Sequence, residues 1–279
     1  MAKPQAPKAS IRRWSAGAWS SADDPIAAEE PLQVMLNGEP LTVLMRTPGA
    51  DIELALGLLY AEGIIRSRAE IDSVGISAEA QERTQGTRVE ASLVESNVVD
   101  VRLVGQPRRR PQRSFIASSA CGVCGAEMIE DLRRDLATVA PGPTIDPATL
   151  PNLVDRLREG QDVFEQTGGL HAAGLFDAAG SLVHVREDIG RHNALDKIVG
   201  RLLLDAALPA SSSVLVVSGR AGYEIIQKSI AAGIPMVAAV GAPSSLAIAL
   251  AREFNQTLIG FLRSGRFNVY SAPARVGGS

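Results

Sequence analysis

Residues 214–262 read VLVVSGRAGYEIIQKSIAAGIPMVAAVGAPSSLAIALAREFNQTLIGFL. Three short apolar runs, VLVV (214–217), MVAAV (236–240) and TLIGFL (257–262), alternate with two segments of helical spacing, YEIIQKSIAAG and SLAIALAREFN. Continuous apolar strands alternating with helices point to a parallel sheet covered on both faces. The turns SGR and GAPS then lie where strand C-termini meet helix N-termini, the edge at which α/β sheets bind ligands and at which anions are favoured. Ser218, Gly219, Arg220 and Gly241 are therefore candidate binding residues. Arg263 and Arg266 follow the third strand, where two guanidinium forks are suited to phosphate.

Upstream, GGLHAAGLF and SLVHVRE, separated by DAAG, predict two adjoining strands. IGRHNALDKIVGRLLLDA predicts a helix that buries Leu195, Ile198, Val199, Leu202 and Leu203. Leu153 to Leu157 predict a shorter helix, and GAEMIEDLRRDLATV has helical spacing at Met128, Ile129, Leu132 and Leu136. The N-terminal part has a different texture. Leu32, Val34 and Leu36 alternate, Asn37-Gly38 turns the chain, and Leu41, Val43 and Met45 alternate again, which predicts a β-hairpin. Asp51 is placed to cap a helix through IELALGLLYAE, with Gly63 as its stop. RVEASLV and NVVDVRLV predict further strands.

The expected organisation has three parts. Residues 1–25 form a disordered basic tail marked by Lys3, Lys8, Arg12 and Arg13. Residues 26–113 form a small α+β domain ending in GQPRRRPQR, an Arg/Pro-rich linker that could also attract anions. Residues 114–279 form an α/β domain. Lysine plus arginine total 28 against 31 acids, a net charge of −3, which argues against a general nucleic-acid binder. No run reaches the roughly 18 apolar residues of a membrane span, and no apolar leader opens the chain, so no membrane role and a cytoplasmic address are expected.

The chain has two cysteines, Cys121 and Cys124, and three histidines, His171, His184 and His192. Two cysteines make no disulfide framework and no four-cysteine zinc site within one chain. Their C-x-x-C spacing, just ahead of a helical segment and flanked by Gly122 and Gly125, favours thiolate chemistry. Ordinary buried cysteines, a redox dithiol, a mixed Cys/His zinc site and a persulfide-carrying thiolate all fit the spacing. The redox dithiol lacks a strand leading directly into the motif. His171, among Gly168, Gly169 and Gly174, is a further candidate, with a satisfied core histidine as the plainer account. Glu187, Asp188, Arg191, His192, Asn193, Asp196 and Lys197 crowd one short stretch. Asp188 could cap the helix and Lys197 fits a solvated face, but an Asp acceptor, an Arg donor and a neutral His or Asn also suit an anion or guanine pocket.

Six ordered strings, CGVCG, TGGLHAAGLFD, EDIGRHNALDKIVG, SGRAGYEIIQKSIAAGIP, GAPSSLAIALA and GFLRSGRFNVY, resemble the FdhD family, the formate dehydrogenase accessory sulfurtransferases. The likeness runs from about residue 32 to Tyr270. It implies a cytidine-deaminase-like C-terminal domain, a three-layer α/β sheet carrying the C-x-x-C loop, and a homodimer. It also implies a sulfur carrier: a cysteine desulfurase loads a persulfide on Cys121, with Cys124 assisting. The sulfur then passes to a molybdenum or tungsten bis(molybdopterin guanine dinucleotide) cofactor destined for formate dehydrogenase. The family's cofactor-binding stretch corresponds to Phe261, Leu262, Arg263, Ser264, Gly265 and Arg266, and a guanine nucleotide such as GDP would share that pocket. With them stand Ser218, Gly219, Arg220, Gly241, His192 and Asp188. No resident metal site is assigned. Leu262 stands where some relatives carry a cysteine. A chaperone that holds the cofactor without transferring sulfur is the alternative. A zinc-dependent deaminase is a weaker one, since here the C-x-x-C precedes every histidine and His171-Ala172-Ala173 lacks the glutamate that moves protons in such enzymes.

Overall fold

The computed structural model describes residues 4–76, 97–108, 115–117, 133 and 135–277. The chain opens not on a disordered tail but on a hairpin, β1 (Lys8–Ser15) with β2 (Ala18–Pro25). Ala16 and Gly17 both take positive φ, 51° and 83°, the two-residue turn that matches strand twist. Trp14 pairs with Trp19 across it, and Arg13 bridges Asp24 at 2.5 Å. Ala9 and Ile11 face the less exposed side, alternating with the exposed Lys8, Ser10 and Arg12. Charge content alone hid that alternation.

Five strands make the first sheet: β3 (Glu30–Leu36), β4 (Glu39–Arg46), β5 (Ile71–Ile76), β6 (Val98–Leu103) and β7 (Phe115–Ala117), ordered β5-β6-β3-β4-β7. The β3–β4 hairpin turns at Asn37 and Gly38, φ 53° and 80°, as the sequence predicts. β7 lies beyond the Arg-rich segment yet pairs with β4. The strand expected at RVEASLV and the helix expected through Met128 to Leu132 lie outside the described residues.

The second sheet has six strands: β8 (His171–Phe176), β9 (Leu182–Asp188), β10 (Val214–Val217), β11 (Met236–Ala239), β12 (Thr257–Arg263) and β13 (Arg266–Ser271). Their order is β13-β12-β11-β10-β8-β9. Only β10, β11 and β12 are mutually parallel. β8, β9 and β13 run antiparallel to their neighbours, so the sheet is mixed where the sequence pattern suggested parallel. Helix α1 (Asp51–Ala61) precedes β5. Helices α2 (Asn152–Glu159) and α3 (Asp162–Thr167) precede β8, α4 (Arg191–Leu204) follows β9, and α5 (Tyr223–Ala231) and α6 (Ser245–Glu253) connect the parallel strands. Among the described residues no helix is long and apolar enough to cross a membrane.

Side chains alternate across the strands and divide the core. Leu215, Val217, Val237 and Ala239 join a large cluster with α1, α4, α5, α6 and the first sheet. Val214, Val216, Met236 and Ala238 face the other way, onto Leu153 and Leu157 of α2, Ile145 and Val276. The second sheet is thus covered on both faces, and one continuous apolar cluster joins it to the first.

The join is a crossing of α1 on α4. A Cβ added at Gly57 would lie 1.8 Å from the Asp196 carbonyl oxygen, and one at Gly200 would lie 1.8 Å from the Glu53 carbonyl oxygen. Each glycine therefore lets the partner backbone come into direct contact. Buried polar groups ring the crossing. Asp51 does not cap α1; the N-cap is Ala50 in a left-handed conformation. The Asp51 carboxylate instead accepts two hydrogen bonds from Arg46, both at 2.9 Å, in a pair that is 1% and 9% exposed. Gly63 closes α1 as expected, at φ 69°, with Ile64 N–H donating to the Leu59 carbonyl at 2.9 Å.

Alanine favours helix over glycine by about 1 kcal/mol, yet at Gly57 the added methyl has no space. Gly57→Ala is expected to destabilise the protein by about 2 kcal/mol or more, the range of core overpacking. Gly75→Ala, whose methyl meets nothing within 4 Å, should stay within about 0.5 kcal/mol of the parent. Urea denaturation midpoints compare the two, and equal midpoints would contradict the backbone contact.

Candidate site at the carboxyl edge of the second sheet

The ends of β10, β11 and β12 are tied together by backbone hydrogen bonds. Val240 N–H donates to Val217 O at 3.0 Å, Gly241 N–H to Gly219 O at 3.0 Å, and Phe261 N–H to Gly241 O at 3.1 Å. A Cβ at Gly241 would lie 2.9 Å from Gly219 O, so glycine is required for this approach. The turns Ser218–Gly222 and Val240–Ser244 enter α5 and α6 as the sequence predicts. They are bridged at Ala221 and Pro243, and Ser244 Oγ caps α6 by accepting from Ala247 N–H at 3.2 Å.

The Phe261–Arg266 stretch forms the end of β12, the turn and the start of β13. Phe261 has φ 53° and is 39% exposed, at a register shift between Gly260 and Arg263. A left-handed non-glycine residue costs about 1–3 kcal/mol and tends to mark functional positions. Leu262 is fully buried in the second core cluster, so its side chain is a packing element and not a ligand contact. Arg263 pairs in register with Arg266 across Ser264 and Gly265, all four exposed. Among the described residues Arg220, Arg263 and Arg266 have no hydrogen-bonded or ion-paired side-chain partner, so three solvated guanidinium groups border this edge.

The antiparallel β8 brings His171 beside Ser218. Ser218 Oγ accepts from Ala172 N–H at 2.9 Å and lies 3.5 Å from His171 Nδ1. Gly219 keeps space open: its Cβ would sit 3.3 Å from His171 Nδ1 and 3.4 Å from Arg191 Cδ. Arg191 opens α4, and its buried Nε has no partner. Burial, then the Arg191 charge, pushes the His171 pKa down. His192 lies 3.2 Å from Glu224. Burial, then Arg191 and Lys228, pushes its ring down to about 3, so a neutral imidazole faces the Glu224 carboxylate.

The crowded string 187–197 therefore splits into two groups. Arg191 and His192 face the edge. Glu187 accepts from Val163 and Phe164 N–H at 3.0 and 2.8 Å, which starts α3. Asp188 is neither a helix cap nor a ligand acceptor. Its fully buried carboxylate takes Gly190 N–H and Asn193 Nδ2 on one oxygen, and Thr47 N–H and Lys197 Nζ on the other. All four acceptor directions are used. Lys197 is not on a solvated face: it is 1% exposed and also donates to the Thr47 and Glu187 carbonyls. Asp196 pairs with Lys228 at 2.7 Å, both buried.

Cys121 and Cys124 lie outside the described residues, as do Arg109, Arg110 and Arg113; Arg108 binds Glu70 at 3.0 Å. Among the described residues no group of three or more His, Cys, Asp or Glu is placed to hold a metal ion. The sequence reading offered Arg191 as the donor of an anion or guanine pocket, and the structure sets it beside His171 and Gly219.

His192 gives a pH test. Its pKa is about 3 in the folded state against about 6.5 unfolded. The unfolded chain therefore takes up a proton that the folded chain refuses, and stability falls as pH drops from about 6.5 toward 3. His192→Gln should flatten that part of the stability–pH curve. A His192→Gln protein whose stability–pH curve keeps the wild-type slope between pH 7 and pH 5 would contradict a neutral His192.

Residues 27–277 match the model of the FdhD/NarQ family. A sulfur carrier protein FdhD of Streptomyces coelicolor is 47% identical over 266 residues, covering 93% of this chain and 92% of that protein. Its namesake in Sulfolobus acidocaldarius is 40% identical over 272 residues, covering 96% and 98%. A crystal structure from Desulfotalea psychrophila, described as a formate dehydrogenase accessory protein, superposes with a TM-score of 0.77 at 24% identity, covering 98% of this chain and all of that one; at that identity it supports the fold. With a family match that spans both sheets and relatives alike over nearly their whole length, the chain belongs to the FdhD/NarQ family.

Proposed function

We propose that this protein carries sulfur for the maturation of formate dehydrogenase, accepting it as a persulfide on Cys121. The observation that carries the reading is the conjunction of a C-x-x-C pair at 121–124 with a sheet edge bordered by unpaired arginines. The first suits thiol chemistry and the second suits a polyanionic cargo. Relatives named as sulfur carriers at 40–47% identity support it.

In the loading step the Cys121 thiolate attacks the outer sulfur of a persulfide on a cysteine desulfurase. The donor's cysteine leaves as thiolate, and Cys121 retains the sulfur as a new persulfide. Cys124 assists by holding or resolving that persulfide. The cargo is the molybdenum or tungsten bis(molybdopterin guanine dinucleotide) cofactor, which receives the sulfur before insertion into formate dehydrogenase. Its phosphates would meet Arg220, Arg263 and Arg266 as bidentate or forked contacts. Ser218, Gly219 and Gly241 would supply close backbone approach, and Phe261 an exposed aromatic face. Asp188 acts at one remove, by fixing the start of α4 and hence Arg191 and His192. By family likeness the working unit is a homodimer.

A chaperone role without transfer rests on the same arginines, and variants separate the two. Cys121→Ala should abolish maturation of formate dehydrogenase in cells that lack their own counterpart, while its thermal unfolding matches the parent. Arg263→Ala with Arg266→Ala should keep sulfur loading and lower maturation at least tenfold, since each lost charged contact weakens binding by about 1.5–3 kcal/mol. Normal maturation by Cys121→Ala would leave only the chaperone role.

A further inference from the structure

The chain has two tryptophans, and both stand at the tip of the β1–β2 hairpin, 57% and 59% exposed. Trp14 and Trp19 oppose each other across the ladder with ring centroids 5.3 Å apart, and the Arg12 guanidinium lies over the Trp19 ring at 5.2 Å. The cross-strand pair holds the tip together, since a lone two-stranded hairpin is marginal in water. It does not hide the rings. No residue of the hairpin belongs to either core cluster, so the ribbon stands off the body with its largest apolar side chains at the tip.

The charges are arranged in the same sense. Asp23 and Asp24, toward the root, are taken by Ser10 at 2.9 Å and Arg13 at 2.5 Å. Arg12 has no carboxylate partner among the described residues. The tip is a cationic aromatic knob, and Trp and Arg are the residue types that carry most of the energy where proteins meet. Two tryptophans so exposed offer on the order of 300 Å², against the roughly 800 Å² per partner of a standard stable interface. The knob therefore fits a partner that docks and leaves, and is too small to hold a lasting dimer by itself.

The root is fixed at the rim of the candidate site. The Ala28 carbonyl accepts from Thr47 Oγ1 at 2.9 Å, and Thr47 N–H is held by Asp188. Ala27 packs on Gly169, where a Cβ would lie 3.0 Å from the Ala27 side chain, two residues before His171. A partner seated on the knob is thus brought to this edge of the protein. The match to the family model begins at residue 27, after the hairpin. The ribbon lies outside the span that defines the family, a place suited to selecting a partner rather than to the shared chemistry.

We infer that this knob is the docking point for the sulfur donor, entering an apolar cleft rimmed by carboxylates on the donor's surface. The inference rests on the sulfur-carrier reading for the donor's identity as a cysteine desulfurase, and adds where that donor is recognised. Docking lowers the donor concentration needed for loading and takes no part in the attack of the thiolate on the persulfide.

Calorimetric titration of the full-length protein with the organism's own cysteine desulfurase, without cysteine, reads docking apart from sulfur transfer. Trp14→Thr with Trp19→Thr should weaken binding at least tenfold, as loss of a hot-spot pair does. Arg12→Glu, which keeps both rings, should weaken it at low salt by a margin that closes in about 0.5 M salt. With cysteine added, both variants should raise the KM for the desulfurase and leave the limiting loading rate unchanged. Loading from inorganic polysulfide, in which the Cys121 thiolate takes one sulfur and a polysulfide one sulfur shorter leaves, should match the wild type, as should thermal unfolding. Equal desulfurase affinity in the wild type and the double variant would overturn the inference. So would a wild type that does not bind the desulfurase up to about 100 μM. With desulfurase affinity intact, a double variant that loses self-association would assign the knob to a second copy, and one that loses pelleting with phosphatidylglycerol vesicles would assign it to a lipid surface; either overturns the inference. A wild type that gains sulfur from neither source would sink the carrier reading, while tryptophan-dependent binding of the desulfurase would still stand.

Discussion

The contact of two helix backbones at Gly57 and Gly200 sets the geometry of everything else. With no side chain at either position, α1 and α4 touch carbonyl to Cα. The first sheet is thereby held close against the second. Ion pairs and polar contacts near the join span it or brace it. Arg186 grips Glu53 through two bonds of 2.6 and 2.8 Å, Asp188 and Lys197 reach the Thr47 backbone, and Gln227 donates to the Ala61 carbonyl at 3.0 Å. Such pairs gain little net stability after desolvation, but removing one partner is costly. Their value here is registration: they allow one relative placement of the two sheets.

That registration reaches the candidate site through Asp188. One oxygen of its carboxylate holds Gly190 N–H and Asn193, and the other holds Thr47 and Lys197. The start of α4 is thus fixed with respect to the first sheet. Arg191 and His192 are the next two residues, so the guanidinium beside Gly219 and the neutral ring beside Glu224 inherit their positions from the join. The other half of the site is made by strand ends whose glycines admit backbone-to-backbone contact. The exposed, left-handed Phe261 is where that tight packing stores strain. A rigid rim of this kind would suit the proposed role, in which a large anionic cargo is held in one orientation while a separate thiol acts on it.

The parts of this design with a strong period were legible in the sequence. Alternation around Asn37-Gly38 gave the hairpin, and apolar runs between helical segments gave β10 to β12 and the two turns at the carboxyl ends of β10 and β11. Strand direction was less visible: β8 and β13 are antiparallel, and neither periodicity nor propensity encodes direction. Residues whose roles depend on a distant partner were misread. Asp51 looks like a cap until Arg46 is beside it, and Lys197 looks solvated until Asp188 and Thr47 surround it. The N-terminal hairpin was masked by its basic composition. Gly57 and Gly200 sit inside helical patterns, where an isolated glycine is itself a sign of close packing. The six long strings gave the family independently of these details.

The most direct test of the central claim is intact mass after incubation with an active cysteine desulfurase and cysteine, for wild type, Cys121→Ala and Cys124→Ala. The account predicts a gain of about one sulfur atom on the wild type, reversed by a thiol reductant as persulfide chemistry requires, and no gain on Cys121→Ala. A wild type that gains no sulfur from a desulfurase shown to be active would contradict it, and would leave the arginine-bordered edge as a cofactor-holding site alone.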